Sequence, residues 1–457
     1  MAKLKITKGL DVPIKGAPTG PVQPLLVDGR PAKPKEIALD FSPFLMIKPK
    51  LLKKAGEMVK VGEPLVAGKQ VPGRMFVSPA SGVIKEVHRG LKRRLLSIVI
   101  EVSENEEFKE FPQEDPADLS REHLTELLME GGIFAHIRRR PFDLLADPHQ
   151  TPRAIFVSAV ETAPFQPSAE MQVEGFEEEF AVGLEALKKL TDGPVHLVYP
   201  EKSDFKPFTE AAVETHTIEG PHPAGNHSVH IQMLSPIQSV EENIWTLRAL
   251  DVVCIGHLLK QGRIHTDRVV SIAGPGVLDG AAGYFRTRAG APVSSLIAGR
   301  VEKGAMRFVS GDLLMGSKVD AEGFLGFYDT QLSVVPESTH REMLHFFRLG
   351  IDKYSASRTY LSGFLSDRIY DFNTSNHGEH RAFVIAKPYD AVMPMNIPTM
   401  QLVKAVMAED FDLAEELGFL EVAPEDFALA TFVCPSKMEM IGIIEKGLKE
   451  YAVDVLH

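Results

Sequence analysis

The sequence predicts a multidomain protein of mixed α/β and β class, and three features lead there. A chain of 457 residues is too long for one hydrophobic core, so three or four units are expected. Two stretches, Asp40 to Val102 and Gly262 to Gly316, are rich in Val, Ile and Leu broken by Gly and Pro, the signature of short strands and tight turns. Between them apolar runs alternate with segments of helical spacing, which implies βαβ units in a Rossmann-like layered domain. The expected units are residues 1–110 with a small β domain, 111–260 as the α/β domain, 261–335 as a second β-rich module, and 336–457 as a mixed-to-helical region.

In the first unit Val59, Val61 and Leu65 lie between Gly56, Gly62 and Gly68, ahead of Ser78-Pro79-Ala80-Ser81-Gly82-Val83-Ile84. This pattern resembles the barrel-sandwich hybrid of lipoyl and biotinyl carrier domains. Lys69 stands near the place where those carriers bear their prosthetic group, but its neighbours Gly68 and Gln70 match neither carrier motif. A helix is predicted from Ser120 to Glu130, capped by Ser120, with Leu124, Leu127 and Leu128 on one face and Gly131 at the left-handed C′ position.

The α/β unit opens with a buried strand, Ala154 to Ala159. Phe176, Phe180, Leu184 and Leu187 then mark a helix, with Glu177 to Glu179 at its start and Lys188 and Lys189 at its end, each sign matching the helix dipole. Val195 to Tyr199 reads as the next strand. The same pattern continues as a strand from Ser228 to Met233, a helix through Ile237, Val240, Ile244 and Leu247, and a strand from Asp251 to Gly256. Arg268 to Gly274, Tyr284 to Gly290, Leu296 to Gly299 and Ser310 to Gly316 resemble the β-grasp module of soluble ligand-binding (SLBB-like) domains. Beyond it, helices are expected over Met400 to Ala408, Asp412 to Leu417 and Met440 to Tyr451.

Net charge is −12 and no basic stripe is long enough to track a phosphate backbone, which argues against a nucleic-acid partner. Apolar runs reach about ten residues, half of what a spanning helix needs, and no apolar segment of signal-peptide type follows Lys3 and Lys5. Two distant cysteines, Cys254 and Cys434, fit a reducing compartment and cannot ligate an all-cysteine iron–sulfur cluster alone. Neither G-x-G-x-x-G nor a P-loop follows a predicted strand, and Gly274-Pro275-Gly276 reads as turns. His216, His222, His227 and His230 fall in a Gly/Pro-rich segment with no metal-ligand spacing. His377 and His380 are three apart with a glycine between, unlike the metallopeptidase helix. The sequence thus offers no catalytic or metal-binding residue.

The basic run Arg138-Arg139-Arg140 lies in Ile133 to Phe142, between helix and sheet. Phe134, Ile137 and Phe142 beside three arginines suit a protein contact or the mouth of a quinone site, since Arg is favoured at interfaces and makes forked hydrogen bonds. These six residues are the candidate quinone or subunit contact.

Several segments in order carry a resemblance over nearly the whole chain: Ile6 to Ile14 with Gly16-Ala17-Pro18, Ser78 to Val83, His88 to Arg93, Gly132 to Pro141 with Asp147-Pro148, and Ile155-Phe156-Val157 to Ala163-Pro164. Glu219 to Asn226, Gly256-His257, Val392-Met393-Pro394 and Thr431 to Lys437 continue it. The set resembles the NqrA family of the sodium-translocating NADH:quinone oxidoreductase, which is related to RnfC and to the NADH-binding subunit of complex I. The cysteine motifs of those relatives are not present; only Cys434-Pro435 remains near the corresponding region. The resemblance implies a peripheral subunit on the cytoplasmic side of the bacterial inner membrane, acting at the quinone-reduction end near NqrB. It also implies the B to F subunits as partners, which hold FAD, FMN, riboflavin and the Fe–S centre, in a complex that couples NADH oxidation to Na+ export. Ubiquinone is the possible substrate. A scaffold without a ligand pocket and an RnfC-like electron carrier are the alternatives.

With no nucleotide fingerprint and no cluster ligands, the isolated chain is expected to be colourless and unable to oxidise NADH alone. An absorption spectrum of the purified protein, and NADH consumption with an artificial acceptor, check both. A stoichiometric flavin or cluster band, or turnover above the buffer rate, is the contrary result.

Overall fold

The computed structural model describes residues 1–44, 46–339, 347–356, 359–365 and 368–456. Its centre is a seven-stranded sheet in the order Lys3–Lys5, Glu214–Glu219, Val195–Pro200, Ala154–Ser158, Ile244–Arg248, Arg138–Arg140, Leu144–Leu145. The first five strands run parallel, and the last two are antiparallel. Alternating side chains feed two cores, as a parallel sheet covered on both faces requires. From Ala154–Ser158, Ile155 and Val157 enter one core and Phe156 the other.

The first core is closed by two helices, Glu177–Leu190 and Ala249–Gln261, through Phe180, Leu184, Val252 and Ile255. They cross backbone to backbone. A Cβ on Gly256 would lie 1.7 Å from the Glu179 carbonyl oxygen, and one on Gly183 2.2 Å from that of Val252. Only glycine permits that approach. The second core is covered by the helix His227–Leu234 and by the C-terminal helices Thr399–Met407, Phe411–Glu416, Ala428–Val433 and Met440–Val455, through Tyr389, Leu402, Phe419, Phe427 and Ile444.

Two β units flank this sheet. Glu36–Asp40, Leu95–Val102, Gly82–Arg89 and Met58–Val59 form one layer of the barrel-sandwich hybrid, and Pro49–Leu51, Pro64–Gly68 and Met75–Val77 the other. The β-grasp unit is a six-stranded sheet whose central pair, Asp267–Ala273 and Gln331–Pro336, is parallel. The chain before the barrel-sandwich unit goes elsewhere: Lys3–Lys5 edges the central sheet and Val22–Pro24 pairs with Gly283–Arg288 of the β-grasp unit.

Several expectations are corrected. Ser120 caps the helix Arg121–Glu130 by accepting from His123 N at 3.2 Å, but the left-handed residue is Gly132, with φ 77°, while Gly131 stays right-handed. Ser228 to Met233 is helix, Ile244–Arg248 is strand, and Asp251 to Gly256 is helix. The third parallel strand is instead Glu214–Glu219. Short apolar runs do not separate buried helix from buried strand, and one wrong assignment shifted the next two. The segment Leu296 to Gly299 begins in the short helix Val293–Ile297 rather than a strand. The four histidines do not share one loop: His216 is on a strand, while His227 and His230 are on a helix.

Phe134, Ile137 and Phe142 are core residues, not apolar surface. Phe134 meets the Trp245 ring edge-on at 5.6 Å. Phe142 lies beside Tyr451 at 5.8 Å on the other side of the sheet. Phe134→Ala is expected to destabilise the protein by about 3–5 kcal/mol through lost burial and a residual cavity, read as a lowered urea midpoint.

His230 is fully buried. Its Nε2–H donates to the Ala224 carbonyl at 2.7 Å, and its Nδ1 takes no hydrogen bond. Burial depresses its pKa to about 3, below the unfolded value of about 6.5. The unfolded chain therefore binds the extra proton, and the stability this group supplies is complete above pH 6.5 and lost as pH falls toward 3. His230→Gln keeps a donor for Ala224 without titrating. Between pH 6.5 and 5 its stability is expected to fall less steeply than the parent's by about one proton, ~1.4 kcal/mol per pH unit, in parallel denaturant titrations.

Candidate functional site

Within the α/β unit the parallel strands stand in the order third, second, first, fourth. The chain leaves Ala154–Ser158 toward one side of the sheet and returns on the other with Ile244–Arg248. The two loops diverge there, and ligands of open α/β sheets bind in the crevice so made, beyond the carboxyl ends of the strands. A cavity of about 590 Å³ lies at this place. Ser158, Glu161 and Thr162 come from the first strand and its loop, and Arg248 and Asp251 from the fourth. The other units close it: Ser42 and Pro43 of the barrel-sandwich hybrid, Asp312, Tyr328 and Asp329 of the β-grasp unit, and Glu425 and Glu445 of the C-terminal region.

The strand Arg138–Arg140 divides the basic run by simple alternation. Arg138 and Arg140 face the cavity, whereas Arg139 does not line it and donates to the Gln150 side chain at 3.3 Å. Arg138 pairs with Asp143 at 3.0 Å and lies over the Tyr328 ring at 5.4 Å. Arg140 reaches Ser228 Oγ at 2.9 Å, with Asp143 and Glu425 each at 3.4 Å. Arg248 donates through Nη1 to the Tyr328 carbonyl at 2.8 Å, and its backbone N–H donates to Asp251 at 2.9 Å. Each cavity arginine already has a carboxylate partner, and the remaining wall is acidic. A phosphate would meet Glu161 where nucleotide-binding sheets place glycines, so the lining disfavours a dinucleotide.

His136 and Asp251, absent from the sequence candidates, form a further polar pair on the wall: Nδ1 lies 3.0 Å from the carboxylate. Burial would raise the Asp251 carboxyl, but Arg248 and the His136 hydrogen bond hold it well below the usual range. Burial lowers the His136 imidazole despite its carboxylate partner. Burial pushes Glu161 up to about 7. Glu425 is also raised to about 7, first by burial and then by the neighbouring Asp426. The Asp251 signal was legible: an acid three residues past Arg248 is where a helix start expects one, but the run after it was taken for a strand.

Among the described residues one other group has metal-ligand proximity, His196, Glu214 and His216. His196 Nδ1 and His216 Nε2 are 3.0 Å apart, and the Ala2 backbone N–H donates to His216 Nδ1 at 3.2 Å. That donor places the His216 proton on Nε2, where it is given to His196, so the pair reads as a hydrogen-bonded chain. Cys254 and Cys434 are both buried, the first within Ala249–Gln261 and the second beside the Tyr389 hydroxyl at 3.2 Å. No helix among the described residues is long and apolar enough to cross a membrane.

Comparison with known proteins agrees with this architecture unit by unit. Residues 4–103 match the NqrA N-terminal barrel-sandwich hybrid domain, 119–264 the NqrA second alpha/beta domain, and 269–321 the SLBB-type NQRA C-terminal domain. The A subunit of the Na(+)-translocating NADH-quinone reductase of Chlamydia caviae is 39% identical, over 98% of this chain and 97% of that protein. Its counterpart in Rhodopirellula baltica is 38% identical, over 97% of each. Among solved structures, an air-oxidized NAD+-reducing NiFe hydrogenase aligns with a TM-score of 0.39 at 9% identity, over 74% of this chain and 62% of that one. Full-length identity near 38% and three domain matches in the order of the fold make this chain a member of the NqrA family, the A subunits of the Na+-translocating NADH-quinone reductase, an oxidoreductase complex.

Proposed function

We propose that this subunit holds a quinone headgroup in the switch-point cavity, at the quinone-reduction end of its complex. In this reading the chain is a peripheral subunit on the cytoplasmic side, docked near NqrB, in a complex that couples NADH oxidation to Na+ export. Electrons arrive from flavins on partner subunits. The observation that carries the reading is the cavity itself: lined by all four units, at the ligand-binding position of the sheet, and lined so as to disfavour phosphate. A quinone ring is uncharged and its two carbonyl oxygens accept hydrogen bonds. Arg138 and Arg140 share Asp143, at 3.0 and 3.4 Å, and still offer N–H donors to a neutral acceptor. Leu247, Leu314 and Met315 supply apolar wall.

The scaffold reading leaves a volume of this size without purpose. An RnfC-like electron carrier lacks ligands, since both cysteines are buried in separate cores.

The test is equilibrium binding of ubiquinone-1 to the isolated chain. Removing a charged hydrogen-bond donor costs about 1.5–3 kcal/mol, so Arg138→Ala is expected to weaken binding roughly tenfold or more. Arg139→Lys, away from the cavity, is expected to leave the affinity unchanged. Absence of saturable binding by the parent, with normal assembly of the complex, returns the chain to the role of a scaffold.

A further inference from the structure

The cavity contains a pair that binding alone does not need. Asp251 is ionised and so only accepts, which places the proton of neutral His136 on Nδ1. The Nε2 of His136 takes no hydrogen bond from the described residues, and the ring lines both this cavity and a small one of about 60 Å³ that it shares with Phe327, 4.9 Å between centroids. An imidazole with one nitrogen fixed by a buried carboxylate and the other left open is an arrangement for moving protons. Asp251 is itself fixed twice, by the His136 ring at 3.0 Å and by the Arg248 backbone N–H at 2.9 Å.

We propose that His136, oriented by Asp251, is the proton-transfer residue of this cavity, serving a carbonyl ligand that gains two electrons and two protons. The proposal rests on the reading of the cavity as a quinone site. Reduction of a quinone to a hydroquinone needs two protons as well as two electrons, and the electrons come from a reduced flavin on a partner subunit. As the first electron reaches the ring, the carbonyl oxygen becomes basic. A proton from solvent first adds to the bare Nε2 and gives the imidazolium, and the oxygen then takes it: that N–H bond breaks, its electron pair stays on Nε2, and an O–H bond forms. The second electron leaves the charge on the opposite oxygen, across the ring from His136, and that oxygen takes its proton from solvent to complete the hydroquinone. Asp251 opposes the positive charge that His136 carries at each turn. The other groups acting on the ring are Arg248 and Arg268, both positive, together with His265 and the Tyr328 ring 6.5 Å away.

The test uses the assembled complex. His136→Ala is expected to lower kcat for ubiquinone-1 reduction about 100-fold, the ordinary contribution of a general acid. NADH oxidation with an artificial acceptor should stay at the parental value, and ubiquinone-1 should still bind the isolated subunit saturably. Added imidazole should restore part of the lost rate. If His136→Ala does not assemble, His136→Gln replaces it, since its amide keeps the hydrogen bond to Asp251 but carries no transferable proton. Asp251→Asn should lower kcat and flatten its pH profile, and Asp251→Glu should recover both in part. Parental kcat and pH profile in the His136 variants, or a reduced kcat that imidazole leaves unmoved, overturns the proposal while the quinone reading stands. Failure of ubiquinone-1 to bind the parental subunit removes the quinone reading first, and this proposal with it.

Discussion

Everything in this molecule is arranged around the parallel pairing of Ala154–Ser158 with Ile244–Arg248. The register brings Ser158 level with Arg248, so the first strand ends beside the start of the helix Ala249–Gln261. From that junction the first-strand loop turns one way and the helix the other. A crevice is unavoidable there. Both strands are buried on both faces, with Ile155, Val157, Trp245 and Leu247 in one core and Phe156 and Ile244 in the other. The opening therefore sits on a support that cannot slide by one residue without exchanging its two cores.

The other three units serve mainly as walls for that crevice. The barrel-sandwich and β-grasp units each meet it along an edge, and the C-terminal helices bring Glu425 and Glu445. Charge is balanced locally rather than by sign: three arginines face a larger number of carboxyls, and each arginine has its own partner. Burial of such pairs is costly unless the geometry is good. Retaining them in a cleft suits a site that must hold hydrogen-bond donors without attracting free anions.

The sequence was informative where patterns were long or punctuated. The strand Ala154–Ser158, the helix opening with Glu177 to Glu179 and three of the C-terminal helices were legible, because Gly, Pro and charge mark their ends. Glu214 to His227 was not, because its histidines and prolines suggested a loop, and Ser228 to Met233 fitted a strand as well as the helix it forms. In fact burial keeps those histidines neutral inside a strand and a helix, and no local pattern records that. The arginine run was rightly singled out, yet only the strand alternation reveals that Arg138 and Arg140 face one way and Arg139 the other. His136 and Asp251 are 115 residues apart, and the hydrogen bond between them is created by the fold alone.

The first residues of the chain are placed by partners made much later. Lys3–Lys5 pairs with Thr217 to Glu219, and Val22–Pro24 with Tyr284 to Arg286. During synthesis the leading segment must wait more than 200 residues for its first neighbour and longer for its second. Contacts so distant in sequence close slowly, since the intervening loop must be ordered first. The strand Lys3–Lys5 is unpaired for that interval, its N–H and C=O groups open in the way that invites another chain. The earliest-made strand thus acts as a late latch, joining the α/β and β-grasp sheets only once both exist.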